Sequence, residues 1–464
     1  MSDGAKKVDQ RIGAFLDRMR SAGMPEGAGE DFARMYSVWL SGGGCTVAWE
    51  EVAPPHSGDI TDYEELVAQR YGREAPLDRL AWIVLNGGIG TSMRMSRAKS
   101  LVHVKNSESF LDLLGKFVKT WRAANNARLP VCFMDSYATR ADTLAALAPY
   151  DLAVEGLPLD FEQHRFPRVR AVDGMPFGDG EDQDSWAPPG HGDIYLALRI
   201  TGLLDQLIDK GYRWLFVSNA DNLGAAPDPA LLGFMAARGM EFMLEVTPKT
   251  AADVKGGVLA RIRDRLSLLE IAQVPADKVD DFQDTSSFPA FNTNNAWIDL
   301  RAVKSALDDG GLKLPVIVNK KVVGSEEVIQ LEHAMGAGLV AFSRTCGVLV
   351  GRNRFAPVKT NDDLLVRRSN CYVEGNEAPL VPNPEREKGL GVPWVQLDKS
   401  FYGSVDDLDL RAPFPLDLME AESLVVKGDV RFGSGVKIKG RVTLENSGSE
   451  PLLIPDGEVL EGRP

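Results

Sequence analysis

The chain has 464 residues, of which 44% are hydrophobic and 25% charged, a composition typical of a soluble globular protein with about two or three domains. Its formal net charge of −14 at pH 7 argues against nucleic acid or an anionic membrane surface as the main partner. The 4 cysteines are too widely spaced to predict a disulfide framework or a zinc site, and no apolar leader or membrane-length apolar run occurs, so we expect a cytoplasmic protein.

The first predicted element is a helical extension over residues 1–77. Apolar residues recur there at helical spacing among charges, with an interruption near Gly23 to Gly29: Ile12, Phe15, Leu16, Met19, Met35, Val38 and Leu40.

Residues 78–375 alternate short apolar runs with amphipathic stretches. The runs predict strands at 82–85, 131–134, 214–217 and 243–246, and the amphipathic stretches predict helices at 110–124 and 200–210. This alternation is typical of an α/β domain with a mainly parallel sheet and helices on both faces. Ligands of such sheets bind at the carboxyl ends of the strands, where we therefore expect the chemistry.

A glycine-rich basic loop follows the first of these strands. Gly87, Gly88 and Gly90 let the backbone turn tightly and approach a ligand, and three nearby side chains are positive: Arg94, Arg97 and Lys99. The pattern favours a phosphate site, with a tight turn that binds nothing as the alternative. Met93 stands where a dinucleotide fingerprint needs its third glycine and a P-loop its first, so neither motif fits.

Four further polar clusters are candidates for chemistry, each with a simpler alternative. His191 lies between two glycines in a proline-rich turn, where a histidine can also be merely solvated. Asp221 directly follows a strand and is suited to Mg²⁺, or to capping a helix. The amides of Asn292–Asn295 suit sugar hydroxyls, or a turn, and Lys359 adds charge near Arg354, or lies on the surface.

The tail shows a period of six residues. Aliphatic residues recur at 424, 430, 436 and 442 with glycines between them, which favours a β-helix over residues 401–464, with antiparallel hairpins as the alternative. The proline-rich segment 376–400 is the predicted linker into this domain.

Several segments, taken in order, resemble the eukaryotic-type UDP-glucose pyrophosphorylases: the glycine loop, Phe161–Arg168, Pro188–Asp193, Val217–Gly224, Glu245–Gly257, Leu268–Val274, Phe291–Asn295 and Arg354–Thr360. The resemblance implies a glycosyltransferase-A-like, Rossmann-like domain with a mixed sheet, a helical N-terminal extension and a C-terminal left-handed β-helix. It also implies Mg²⁺-dependent, in-line transfer of a uridylyl group from UTP to glucose 1-phosphate.

The resemblance further implies roles for individual residues. UTP would be bound by Leu85, Asn86, Gly87, Gly88, Lys99, Gln163, Gly190, Asp221 and Lys359, and Asp221 would also bind the Mg²⁺ ion. Lys99 and Lys359 would be the catalytic residues. Glucose 1-phosphate would be bound by His191 and Asn219, with Gly257, Glu270, Asn292 and Asn294 as further candidates.

The chain departs from the family pattern at two places. Family members commonly have Gly-Cys-Lys-Gly-Pro where this chain has Arg94 to Ala98, so Arg94 and Arg97 are candidates for pyrophosphate contacts. The tail ends soon after Val459–Glu461, which leads us to expect a monomer or small homo-oligomer rather than an octamer.

Two alternatives remain at this point. A UDP-N-acetylhexosamine or broad-specificity UDP-sugar pyrophosphorylase would share the glycine loop. A non-catalytic protein of the same fold would be expected to lack Asp221, Lys99 or Lys359, and all of these are present.

Overall fold

The computed structural model describes residues 3–42, 46–90, 93–95, 97–249 and 256–462, without the side chains of residues 3–9. It begins with helices α1 (Asp3–Ser21) and α2 (Glu26–Leu40), which confirm the predicted helical pattern. Phe15, Phe32 and Tyr36 are fully buried between them, and Phe32 packs against Phe166 of the following domain with ring centroids 5.4 Å apart. The extension is therefore joined to the domain by an apolar core.

The largest sheet has 11 strands. Its main row consists of β1 (Ile60–Asp62), β2 (Leu80–Asn86), β3 (Val131–Asp135), β4 (Asp160–Glu162), β5 (Trp214–Asn219), β6 (Phe242–Pro248), β7 (Ala290–Asp299) and β8 (Thr345–Leu349). Their order across the sheet is β1-β8-β6-β7-β5-β2-β3-β4. All four strands predicted from the apolar runs are present, as β2, β3, β5 and β6.

Strand β7 changes the character of the sheet. It runs antiparallel to both of its neighbours, β5 and β6, whereas the other pairings of the row are parallel. The main row is therefore mainly parallel, as expected, and β7 makes the sheet mixed, as the resemblance implied. Nine of the ten residues of β7 are buried, so this strand shows no alternation of polar and apolar residues from which its direction could be predicted.

Helices cover both faces of the sheet. After α3 (Tyr63–Ala68) they are α4 (Phe110–Asn125), α5 (Arg140–Leu147), α6 (Ile194–Ile200), α7 (Leu203–Asp209), α8 (Pro229–Arg238), α9 (Val279–Gln283) and α10 (Leu300–Asp308). The predicted helix 110–124 is confirmed and begins at a capping box formed by Ser109 and Asp112. The predicted helix 200–210 is shorter, because Gly202 has φ +73° and separates α6 from α7.

Shorter strands complete this region: Val52–Ala53, His103–Lys105, Glu108–Ser109, Phe166–Pro167, Val169–Arg170, Trp186–Ala187, Val258–Ile262 and Arg265–Leu269. An antiparallel hairpin, Ile317–Val323 with Glu326–Glu332, follows α10, and we call it the 317–332 hairpin.

The carboxy-terminal part begins with helix α11 (Asn361–Arg368) and the short strands Tyr372–Val373 and Val381–Pro382. Its main strands are β9 (Trp394–Leu397), β10 (Asp417–Lys427), β11 (Val430–Phe432), β12 (Lys437–Glu445), β13 (Leu452–Ile454) and β14 (Val459–Glu461), and helix α12 (Val405–Arg411) lies between β9 and β10. β9, β10, β12 and β14 form one sheet, β11 and β13 another, and all of these pairings are parallel.

The parallel pairings rule out the antiparallel hairpins considered for the tail. The aliphatic residues of the six-residue period, Leu424, Val430, Val436 and Val442, are all buried. Strand β9 lies within the segment 376–400, so the sheet of the tail starts inside the predicted linker.

None of the helices in the described ranges combines the length and apolar character that a membrane crossing requires.

Candidate active site

The strands β2 and β5 bring two predicted segments together. They are parallel neighbours with Leu85 opposite Asn219, so the glycine loop and the Asn219–Asp221 turn start at the same sheet edge. The Ala220 backbone N–H donates to the Leu85 carbonyl oxygen over 3.0 Å, which joins the two turns directly. This arrangement is consistent with the prediction that candidate functional side chains lie at the carboxyl ends of these strands.

Lys99, at the far end of the glycine loop, lies at the same edge of the sheet. Its backbone N–H donates to the Gly88 carbonyl oxygen over 3.1 Å, and its ammonium donates to Asp221 Oδ2 over 2.5 Å. The Lys99 and Asp221 side chains are only 15% and 19% exposed, so the ion pair is partly shielded from water. The other oxygen, Asp221 Oδ1, is buried and has no hydrogen-bond partner among the described residues.

Gln163 lies directly against the glycine loop. A Cβ atom on Gly87 would stand 2.3 Å from Gln163 Nε2, closer than any real contact, whereas one on Gly88 would meet nothing within 4 Å. Gly90 has φ +64°, which favours glycine and closes the turn. The absence of a side chain at position 87 thus leaves room for the Gln163 amide, and Gly88 borders open space.

The side chain of Asn86 supports the loop from inside the protein. Its amide nitrogen donates to Asp135 Oδ1 over 2.9 Å and to Thr143 Oγ1 over 2.8 Å. Burial raises the pKa of Asp135 to about 6, although its hydrogen bonds to Thr143, Asn86 and Thr139 oppose this shift. The amide nitrogen of Asn86 is therefore already engaged within the fold.

The two loop arginines do not converge on Asp221 in the way that Lys99 does. Arg94 has φ +53°, and its guanidinium lies against Gly403, where a Cβ atom would stand 3.0 Å from Arg94 Cζ. The pKa of Asp407 in α12 is lowered first by its hydrogen bond to Ser404 and to a lesser degree by the Arg94 charge. Arg94 thus reaches the carboxy-terminal part of the chain, and both arginines are exposed.

His191 is held as a neutral imidazole. Its Nδ1 accepts a hydrogen bond of 2.8 Å from the Met335 backbone N–H, so the ring proton is on Nε2. Burial lowers the pKa of His191 to about 4, and the nearby His333 contributes to this shift. The turn that presents it needs Gly190, which has φ +82° and packs against the His333 backbone.

The remaining sugar candidates form a continuous chain of contacts. Asn294 Nδ2 donates to Asn219 Oδ1 over 2.8 Å, and the Asn294 backbone N–H donates to Asn292 Oδ1 over 3.1 Å. The Asn292 backbone N–H donates to the Gly257 carbonyl oxygen over 2.9 Å, and the Glu270 carboxylate lies where a Gly257 side chain would be. Asn294 has φ +62° at an irregularity between β6 and β7, and its Oδ1 is buried without a partner among the described residues.

The amides of Asn292–Asn295 therefore belong to a strand and not to a turn. Burial raises the pKa of the Glu270 carboxyl, and the charge of Lys359 partly offsets this rise. Glu270, His191 and Gly190 also line one cavity of about 220 Å³.

Lys359 reaches the same region from a segment bound to the Asp221 turn. The Val358 backbone N–H donates to the Asp221 carbonyl oxygen over 3.2 Å. The Lys359 ammonium lies 5.8 Å from the ring centroid of Phe291 and 5.9 Å from that of Phe355. Lys99, Asp221 and Lys359 thus belong to segments that are hydrogen-bonded to one another.

Sequence reasoning did not identify the residues that hold the Lys359 segment in place. The Asn222 side chain accepts from the Ala356 N–H over 2.8 Å and donates to the Arg354 carbonyl oxygen over 3.2 Å. The Arg354 guanidinium makes a two-point ion pair with Glu245, at 2.6 and 2.8 Å, and Glu245 is completely buried. A glutamate inside the apolar strand β6 was the one available signal, since a buried carboxylate requires a partner.

Comparisons with known proteins point to one family. The family model described as UTP–glucose-1-phosphate uridylyltransferase matches residues 29–439. The chain is 36% identical to the UTP–glucose-1-phosphate uridylyltransferase of Hordeum vulgare, covering 100% of this chain and 98% of the relative. It is 37% identical to that of Solanum tuberosum, with 93% and 91% covered.

Two solved structures are also similar over nearly the whole chain. UDP-glucose pyrophosphorylase from Leishmania major, as a point mutant in complex with UDP-glucose, is 34% identical with a TM-score of 0.86, covering 98% of each chain. A protein from Trypanosoma brucei described as UDP-glucose phosphorylase is 34% identical with a TM-score of 0.87, covering 97% of this chain and 98% of its own.

Proposed function

Because the chain belongs to the UTP–glucose-1-phosphate uridylyltransferase family, we propose that Asp221, Lys99 and Lys359 are the residues that promote its reaction. The chain transfers the uridylyl group of UTP to glucose 1-phosphate, giving UDP-glucose and pyrophosphate. The observation that supports the three roles is their convergence: Lys99 pairs with Asp221, and the backbone next to Lys359 is bonded to Asp221.

The reaction is a displacement at phosphorus. A phosphate oxygen of glucose 1-phosphate forms a bond to the α-phosphorus of UTP, and the bond from that phosphorus to the bridging oxygen of pyrophosphate breaks. Two polyanions must approach each other, so the barrier is largely electrostatic and positional. The protein has to supply positive charge at fixed positions.

The residues present fit a magnesium ion at Asp221. Its Oδ1 is buried without a partner among the described residues, and a carboxylate oxygen is a ligand that Mg²⁺ prefers. The described residues contain no group of three or more acidic, histidine or cysteine side chains that would bind a metal alone, so Asp221 would act with waters and phosphate oxygens. When bound, Mg²⁺ would neutralise phosphate charge.

The chain's own cations account for the rest of the charge. Lys99 is fixed by its backbone bond to Gly88 and its ion pair with Asp221, which places an ammonium at the mouth of the glycine loop. Lys359 is exposed, with its ammonium beside the rings of Phe291 and Phe355, so it can approach a bound phosphate. We assign both lysines to charge that develops on the phosphates during transfer.

Different residues of the site would bind the two substrates. The backbone of Leu85–Gly88, together with Gln163 and Gly190, would bind UTP. His191 would donate from Nε2 to glucose 1-phosphate, since its Nδ1 is occupied by Met335. Asn219, Gly257, Glu270, Asn292 and Asn294 would surround the sugar, as a contiguous set of amide, carboxyl and backbone groups.

The same proposal extends to the organisation of the chain. The catalytic domain would extend to residue 375 and include β1 (Ile60–Asp62), which lies within the predicted extension 1–77 but belongs to the largest sheet. The tail would form a left-handed β-helix that starts at β9 (Trp394–Leu397), within 376–400. Parallel pairing of Leu424 with Val442 and of Val430 with Leu452 supports a helical winding of the tail.

The metal role of Asp221 is tested by titrating Mg²⁺ in the presence of UTP and glucose 1-phosphate while pyrophosphate release is measured. Asp221→Asn should raise the Mg²⁺ concentration for half-maximal rate at least about 10-fold. Asp209→Asn, at the exposed end of α7, is the matched control and should leave it unchanged. An unchanged Mg²⁺ requirement in Asp221→Asn would refute the assignment.

A further inference from the structure

The 317–332 hairpin takes part in the cavity beside His191. Gly190, His191 and Glu270 line this cavity together with Ile317, Asn319 and Glu332 of the hairpin. In the hairpin, Ile317 stands opposite Glu332 and Asn319 opposite Gln330, so Asn319 and Glu332 share one face. That face is directed at the cavity.

Glu332 is held against the turn that presents His191. A Cβ atom on Gly190 would stand 3.2 Å from Glu332 Cβ. The next residue, His333, donates its backbone N–H to the Pro189 carbonyl oxygen and accepts from the Gly192 N–H, each over 2.9 Å. These bonds on both sides of the turn fix the hairpin and the His191 turn as one unit.

The polar groups around the cavity match a neutral ligand with several hydroxyls. The Asn319 amide is hydrogen-bonded to the Glu332 carboxyl, and burial raises the pKa of Glu332 as it does that of Glu270. His191 contributes a neutral N–H donor. Carboxyl oxygens accept from hydroxyl groups, and amide and imidazole N–H groups donate to them, while two carboxyls would repel a phosphate.

Different charges act on the two carboxyl groups of the cavity. The charge of Lys359 acts on Glu270, whereas the charges that act on Glu332 come from Lys321 and His333. Of the two carboxyls, only Glu270 is affected by the charge of Lys359.

We propose that Asn319 and Glu332 bind hydroxyl groups of the sugar ring, and so contribute to the choice of sugar. This inference rests on the proposed function, because it takes the sugar to lie between His191 and Glu270. It adds the hairpin as a specificity-determining element of the site.

The test compares Glu332→Gln with Glu327→Gln, the same change at an exposed carboxylate of the same strand. Glu332→Gln should raise KM for glucose 1-phosphate about 10-fold and leave KM for UTP within about twofold. The substitution removes a charged hydrogen-bond acceptor that is proposed to contact the sugar and not UTP. Its preference for glucose 1-phosphate over galactose 1-phosphate and mannose 1-phosphate should also fall. Glu327→Gln should match the unmodified protein.

Binding of products separates this inference from the proposed function. Calorimetry with UDP-glucose and with UDP gives the affinity gained from the sugar, and Glu332→Gln should reduce that gain while leaving UDP affinity unchanged. Asn319→Ala should act in the same direction and decides the matter if Glu332→Gln does not fold. An unchanged gain in a folded variant would refute the role of the hairpin, whereas absent turnover of UTP with glucose 1-phosphate by the unmodified protein would refute the function itself.

Discussion

The contact between Gly87 and Gln163 allows a sharp test of the proposed UTP site. Gly87 does not have a positive φ, so alanine is compatible with its backbone, but the new Cβ would lie 2.3 Å from Gln163 Nε2 and 2.9 Å from Cδ. The Gln163 backbone N–H is fixed to the Asp135 carbonyl oxygen over 2.8 Å. The side chain, and not the backbone, must therefore move in Gly87→Ala.

The size of the effect follows from what Gln163 is proposed to do. Displacing its amide removes about one neutral hydrogen bond to UTP, worth about 1 kcal/mol, and forces a rotamer change of similar cost. We expect kcat/KM for UTP to fall about 5- to 30-fold, which corresponds to about 1–2 kcal/mol. KM for glucose 1-phosphate should stay within about twofold, since this contact is not proposed to touch the sugar.

A double-mutant cycle shows whether the effect passes through Gln163. Steady-state kinetics would be measured for the unmodified protein, Gly87→Ala, Gln163→Ala and the double variant, with unfolding by denaturant as a check on the fold. If the reasoning is right, Gly87→Ala adds almost nothing once Gln163 is truncated. An equal loss in both backgrounds would show that the substitution acts through the loop backbone, and would refute the proposed path.

Three other predictions concern charge and burial. Lys359→Ala should lower kcat at least about 10²-fold without changing the free energy of unfolding, because one preorganised charge partner of the phosphates is lost, and a near-normal kcat would contradict its role. Arg354→Met should lower the free energy of unfolding by about 3–5 kcal/mol in a denaturant titration, because it leaves the fully buried Glu245 carboxylate without its cation, with only the hydrogen bonds from Asn295 and Trp297. Arg20→Met, at an ion pair whose side chains are 73% and 74% exposed, should cost less than about 1 kcal/mol, and equal losses would contradict this account. The pKa of His191 is lowered from 6.5 to about 4, so the unfolded chain binds the extra proton first and stability must fall as the pH drops through this range. His191→Gln should therefore lose less stability than the unmodified protein between pH 7 and pH 5, and equal losses would show that His191 is not held neutral.

The local elements of this chain could be read from its sequence because burial leaves a periodic pattern. The apolar runs at 82–85, 131–134, 214–217 and 243–246 are strands, and the amphipathic run at 110–124 is a helix with its own cap. Asp221 was predicted as a site residue because it directly follows a buried strand, and Lys99 because it belongs to a basic glycine-rich loop; the structure brings the two side chains together. The six-residue period of the tail likewise predicted which aliphatic residues are buried.

Other features depend on segments that are far apart in the chain. The direction of β7 follows from its insertion between β5 and β6, and its buried residues carry no alternation that shows this. The approach of the Arg94 guanidinium to Gly403 in the carboxy-terminal part could not be predicted either, and the pyrophosphate contacts of Arg94 and Arg97 stay a prediction.

The sequence by itself determined where strands end and which polar and basic side chains follow them, since these properties depend on neighbours a few residues away. Only the tertiary structure decided that Glu245 pairs with Arg354, that Asn222 fastens the Lys359 segment, and that the 317–332 hairpin faces His191. The reason is that these contacts join residues distant in sequence, and their choice depends on how the whole core packs.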